Sequence, residues 1–291
     1  MVILKDHLDD NKKLDVNIDS IIPIDLAFQQ QDSESLLVFE NFHLRCDKSD
    51  PSIVNQDPWN WTINRGERLS IFTQNAYLRY QIIGVLAELI PSVSGVIHKQ
   101  GSLSWPIGGE GGLDLKLRAC NGVEFLCEVY GDCLRNSGFP LDDFWSMLES
   151  ISIEKKSILK ELNKKQKDFF FLAVSALFGF DINLVPEARY FNSKSARPLK
   201  EILSSQLINP STCLISTTKR SKFYSEFCNQ GLVLGSMGEL LFRGSCDQAL
   251  SWFNDKIAKN SDVDQDDDQF NFGEALTNDQ ARQNESDVDD S

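Results

Sequence analysis

Ser104-Trp105-Pro106-Ile107-Gly108-Gly109-Glu110-Gly111-Gly112-Leu113 is followed by Leu117, Val123, Phe125 and the pair Tyr130-Gly131. A Trp-Pro-x-Gly with Gly-Gly close behind it is an uncommon combination. Upstream of it, Leu36 to Phe39 with Phe42, and then Trp59 to Asn64, predict two strands separated by a polar Asp/Ser/Pro/Asn loop at Cys46 to Pro58. Gly66 marks a tight turn into a buried strand, Leu69 to Phe72. A helix is expected from Leu78 to Leu89, stopped by Pro91, and Ser94-Gly95 then turns into a strand at Val96 to His98.

Downstream, Asn121 to Leu177 reads as mostly helical. Short apolar strands return at Ile182 to Val185, Cys213 to Ser216, Leu232 to Leu234 and Leu240 to Phe242, with helical stretches between them. Strands alternating with helices imply an α/β fold whose mainly parallel sheet is covered on both faces.

The chain has 291 residues, 41% hydrophobic and 25% charged, enough to bury one substantial core. Its net charge of -14 argues against general nucleic-acid binding, which draws its affinity from clustered Lys and Arg. Much of the imbalance lies after Lys259, where Asp262, Asp264, Asp266, Asp267, Asp268, Glu274, Asp279, Glu285, Asp287, Asp289 and Asp290 face only Arg282. We therefore expect residues 259–291 to be a disordered acidic tail, residues 1–34 a partly ordered arm, and 35–258 the folded domain.

Seven cysteines form no CxxC pair and follow no secretory signal, so reduced thiols in the cytosol are expected. The longest apolar run, Phe169 to Phe180, is shorter than the roughly 20 residues of a membrane span. His7, His43 and His98 sit in no pattern of metal-ligand type, and no metal site is expected.

In such a sheet a phosphate would sit at the turn after the first buried strand, where a helix begins with exposed N–H groups. That turn is Thr73-Gln74-Asn75-Ala76-Tyr77-Leu78-Arg79-Tyr80-Gln81. A working phosphate loop reads GxxxxGK[ST], with glycines to wrap the phosphates, a Lys to neutralise charge and a hydroxyl for Mg²⁺. Here Thr73 and Leu78 replace the glycines, Arg79 the Lys and Tyr80 the Mg²⁺ ligand. Taken alone, the segment is an ordinary strand-to-helix turn.

The Ser104 to Gly131 pattern resembles the ATP-binding subunits of ABC exporters for capsular polysaccharide, O-antigen and related glycans, which carry SWPxGxxGGF and a later YG at this spacing. The resemblance runs in register from about Leu36 to Asn254. Gly66-Glu67-Arg68 leads into the phosphate-loop position, and Phe180-Asp181-Ile182-Asn183-Leu184-Val185-Pro186-Glu187 is similar to the family's FDxYLVDE. Phe227 to Leu234, then Gly238, Phe242, Gly244 and Ala249-Leu250, resembles its CDRGxVLxxG ending.

This implies a P-loop ATPase domain of the ABC type, with a helical subdomain at about 120–178 and flanking antiparallel strands. It also implies how far the chain departs from the family. Pro186 stands in place of the Asp that supports Mg²⁺, while the catalytic Glu is kept as Glu187. The signature turn should fall at Leu162-Asn163-Lys164-Lys165-Gln166, which has no glycine, and the lysines at 155, 156, 160, 164, 165 and 167 read as a solvated helix face. Thr217 occupies the switch-histidine position.

Phosphoryl transfer depends on positioning and electrostatics, so losing these groups together should remove most of the acceleration. The resemblance thus implies a pseudo-ATPase that binds ATP weakly if at all, with its Mg²⁺ ligands gone. Trp105, Pro106, Gly111 and Gly112 are expected to face a membrane permease, with the protein peripheral on the inner, cytoplasmic face of the cell membrane. Its partner is expected to be a second copy or an active ATPase subunit, not nucleic acid. Alternatives are a divergent but active ATPase in which Arg79 does the work of the Lys, and a regulatory or interaction protein outside transport. The extra glycan-binding domain that some family members carry is not expected after Asn254.

Overall fold

A computed structural model describes residues 35–50, 52–188 and 196–257. The expected N-terminal arm and acidic tail lie outside the described residues. Two sheets organise the rest. β1 (Ser35–His43), β2 (Thr62–Asn64) and β4 (Ser94–Lys99) form an antiparallel sheet in the order β2-β1-β4.

The larger, 6-stranded sheet has the order β5-β6-β7-β3-β8-β9, from β5 (Leu103–Pro106), β6 (Ile182–Val185), β7 (Cys213–Ser216), β3 (Arg68–Phe72), β8 (Gln230–Leu234) and β9 (Leu240–Ser245). β5 through β8 run parallel and β9 closes the edge antiparallel to β8.

The near-continuous apolar character of β6, β7 and β8 follows from burial on both faces. Leu69, Ile71, Ile182, Leu184, Ile215 and Leu232 face one core, shared with Leu37 and Phe39 of β1 and with α1 (Ala76–Leu86). Alternate residues point the other way. Val185 and Leu214 join a core with α5 (Lys164–Leu177) and α6 (Arg197–Leu207), while Phe72 and Val233 pack with α8 (Cys246–Lys256). α7 (Ser221–Phe227) precedes β8.

The helical middle consists of α2 (Ala119–Val129), α3 (Gly131–Ser137), α4 (Leu141–Glu149) and α5. Among the described residues no helix is long and apolar enough to cross a membrane. All seven cysteines are free.

Several boundaries differ from the sequence reading for physical reasons. The expected strand Trp59 to Asn64 is regular only from Thr62, and Trp59 makes a lone bridge to Phe42. β1 is irregular over the same stretch: its register with β4 shifts between Glu40 and His43, where Asn41 adopts φ 47°. α1 ends at Leu86, not Leu89: the N–H groups of Leu89 and Ile90 both return to the Gly84 carbonyl, at 2.8 and 3.2 Å. A Cβ on Gly84 would stand 2.3 Å from the end of the Ile90 side chain, so any larger residue there would have to push that side chain aside.

Leu103 to Pro106, unassigned from sequence, is an edge strand, and an edge tolerates the missing N–H of Pro106. The lysines do not share one helix face. Lys155 and Lys156 lie in a turn, Lys160 in a 3-10 turn, and only Lys164, Lys165 and Lys167 in α5.

Candidate functional site

The expected site residues gather at the carboxyl ends of neighbouring strands, because β6, β7 and β3 are adjacent and parallel. Thr73 follows β3, Pro186 and Glu187 follow β6, and Thr217 follows β7. Thr217 N–H donates to the Val185 carbonyl at 3.2 Å and its Oγ1 to the Pro186 carbonyl at 3.4 Å. Ser216 Oγ also donates to Val185, at 3.0 Å. Thr217, expected at the switch position, is therefore bonded to the strand end before Glu187 and is 4% exposed. Glu187 is half-buried.

At the turn after β3, the chain satisfies much of its own polarity. Asn75 is the N-cap of α1: its Oδ1 accepts from Leu78 N–H at 3.0 Å. Its Nδ2 donates to the Cys46 carbonyl at 2.7 Å and the Ser236 carbonyl at 2.8 Å. Asn75 N–H goes to Thr73 Oγ1 at 3.2 Å, and the Arg79 guanidinium turns back onto the Thr73 carbonyl at 2.8 Å.

Thr73, Leu78, Tyr80 and Gln81 are buried, and Tyr77 and Tyr80 stand with ring centroids 6.2 Å apart. Gln74 Nε2 reaches the Ile257 carbonyl beyond α8 at 3.3 Å. Ala76 opens the helix, half-buried.

The β8–β9 hairpin covers this turn from the other side. Met237 N–H bonds the Glu239 carboxylate at 3.0 Å, closing the hairpin, and the Gly238 carbonyl accepts from Trp59 Nε1 at 2.9 Å. Cys46, Ser236 and Gly238 were not singled out from sequence as part of this region. The Gly-Ser-Met-Gly spacing between two apolar strands marks a hairpin, but nothing local marks its approach to a turn 161 residues away.

The N-terminus of α1 is thus capped by Asn75, the Arg79 guanidinium is bonded to backbone and Tyr80 is buried. Among the described residues no group of three or more His, Cys, Asp or Glu side chains could hold a metal ion.

The Trp105 region is built differently from its expected role. Trp105, Pro106 and Ile107 are buried, and the Trp105 ring meets Tyr130, Phe178 and Phe180 at centroid distances of 5.4, 5.7 and 5.3 Å. Its Nε1 donates to Ser175 Oγ at 3.2 Å. Gly111 packs on this ring in a left-handed conformation, φ 61°, where a Cβ would come within 3.2 Å of it. Of the four residues expected to face a permease, only Gly112 is exposed, with Gly111 half-buried. Trp105 and Pro106 thus hold the loop's shape and contribute no exposed face of their own.

The fold is that of ABC-transporter ATPase domains, a P-loop NTPase fold. The solved structure of an ATP-binding subunit of an ABC transporter superposes with TM-score 0.52 at 13% identity, covering 75% of this chain and 93% of that one. An ATP-binding cassette in its ADP conformation superposes with TM-score 0.50 at 11% identity, covering 78% and 97%.

Among curated sequences, the chain is similar to the capsule polysaccharide export ATP-binding protein CtrD of Neisseria meningitidis serogroup B. The match is 22% identical over 196 residues, 67% of this chain and 88% of that protein. It is also 27% identical over 71 residues to the ATP-binding protein BexA of Haemophilus influenzae, a match spanning 24% of this chain and about a third, 33%, of that relative's length. No protein-family model matches the sequence.

Proposed function

We propose that this chain is an ATP-binding-subunit-like partner in export of a cell-surface polysaccharide that hydrolyses ATP poorly or not at all. In this reading it sits on the cytoplasmic face of the membrane against a permease, through the Gly111-Gly112 loop, and pairs with a second copy or an active ATPase subunit. The glycan assignment rests on the similarity to the capsule-export protein of Neisseria meningitidis.

The observation that carries the loss of hydrolysis is the engagement of Asn75 and Arg79 within the turn itself. With Pro186 in the metal-supporting position, Glu187 would be a general base with no metal-positioned phosphate to act on. The decisive experiment is nucleotide binding and turnover by the purified protein, with and without Mg²⁺. Turnover at rates usual for transporters, abolished in Glu187→Gln, would sink the proposal.

The second reading, a divergent active ATPase, has in its favour that a cation is kept at Arg79 and a carboxylate at Glu187. Mg²⁺-dependent ATP binding that disappears in Arg79→Ala would select it.

A further inference from the structure

α2 carries a face that the site at the strand ends does not use. Ala119, Gly122, Val123 and Leu126 bury one side of this helix, while Phe125 and Val129 on the other are 48% and 55% exposed. Four residues apart, these two share one stripe. Among the described residues they are the only exposed large hydrophobic side chains that stand one turn apart on a helix. A single exposed apolar residue is ordinary, whereas an adjacent pair that includes a phenylalanine marks a contact surface.

Beside this stripe runs a second one of Glu124 and Glu128, both exposed. Neither makes an ion pair among the described residues. The bases next to α2 lie at its other end: Arg118 at the N-cap, and Lys155, whose carbonyl accepts from Cys120 N–H at 2.9 Å and whose ammonium lies over the Trp145 ring. Near the C-terminal end, Glu88 and Asp132 are already paired, with Lys99 and Arg135. Glu128 stands against the helix dipole in a last turn that holds no base, and like charges four residues apart repel. The acidic stripe therefore costs α2 stability and is offset by nothing within the described chain.

We propose that this face docks a cationic amphipathic helix of another protein. Apolar side chains of that helix cover Phe125 and Val129, and its lysines or arginines, one turn apart, meet Glu124 and Glu128. Charge selects this occupant over the others. A second copy packing α2 on α2 sets Glu124 and Glu128 against the same acids, and an anionic membrane is repelled by the stripe on a chain of net charge -14. The inference rests on α2 alone and holds whether or not the chain hydrolyses ATP or serves glycan export.

The probe is a fluorescein-labelled synthetic helix of about 18 residues with leucine on one face and lysine on the other, titrated with the full-length protein and read by anisotropy. Phe125→Ser and the double variant Glu124→Gln, Glu128→Gln, both checked for native circular dichroism, should each bind about fivefold more weakly than wild type. Added salt should weaken the wild-type complex more than that of the double variant. A peptide with glutamate in place of lysine should not bind. Leu241→Ser, which removes an exposed apolar side chain from β9, should bind like wild type.

Equal affinity of wild type and Phe125→Ser places the peptide elsewhere on an acidic chain and overturns the proposal, as does an equal loss in Leu241→Ser or no binding at all. Self-association of the protein alone that disappears in Phe125→Ser assigns the face to a second copy and overturns the heterologous contact. Binding to phosphatidylserine vesicles that disappears in Phe125→Ser assigns it to a membrane and overturns the proposal as well.

Discussion

Asn75 gives the turn after β3 its most direct test. Asn75→Ala removes the cap on Leu78 N–H, worth about 1 kcal/mol, and strips the donor from the Cys46 and Ser236 carbonyls. Leaving the partly buried Cys46 acceptor without its partner costs about 1 kcal/mol and the exposed Ser236 acceptor less, so the variant should lose roughly 2–3 kcal/mol in all. Urea unfolding followed by tryptophan fluorescence should show a lower midpoint with an unchanged slope. Asn75→Asp keeps an acceptor for the cap and loses both donors, so it should fall between wild type and Asn75→Ala. If Asn75→Ala lay within about 0.5 kcal/mol of wild type, as a surface substitution does, the claim that the turn is closed by its own side chain would be wrong. An Asp variant as stable as wild type would show that the two carbonyl contacts contribute nothing.

Trp105→Ala should destabilise by about 3–5 kcal/mol through loss of a large buried ring, whereas Trp105→Phe, which keeps a ring but loses the bond to Ser175, should cost clearly less in the same unfolding assay. Asp181 is partly desolvated, which raises its pKa, but hydrogen bonds from Ser102 N–H and Oγ and the Arg65 guanidinium outweigh this and hold it below the usual carboxylate value. A depressed folded pKa contributes stability that is present above the unfolded carboxylate range and lost as pH falls through the folded value. Acid unfolding followed by circular dichroism should therefore lose part of its slope below about pH 4 in Asp181→Asn. Burial pushes the Cys46 and Cys246 thiols up to about 11 and raises Cys213 further. Thiol labelling of the native protein at mildly alkaline pH should therefore modify half-exposed Cys120 before these three, because the thiolate is the reactive form.

How much of this was legible in the sequence depends on the range over which each feature is encoded. The buried strands at Leu69, Ile182, Cys213 and Leu232 could be read because burial on both faces leaves an uninterrupted apolar run. β5 could not, since Pro106 and the following glycines read as loop and only its place at the sheet edge makes a strand tolerable. The site divides in the same way. The residue types at Thr73, Leu78, Arg79 and Tyr80 were visible against a phosphate-loop pattern. What occupies their polar groups was not, because Cys46, Ser236 and Ile257 reach the turn from distant parts of the chain. The assignment of Trp105 shows the reverse risk. Its motif fixed the register, yet the side chain is a core residue, so a sequence pattern can mark a surface loop through the buried ring that shapes it. The turn after β3 shows the same division: the sequence displays which residue types stand there, and only the bonds of Asn75 and Arg79 show how their polar groups are engaged.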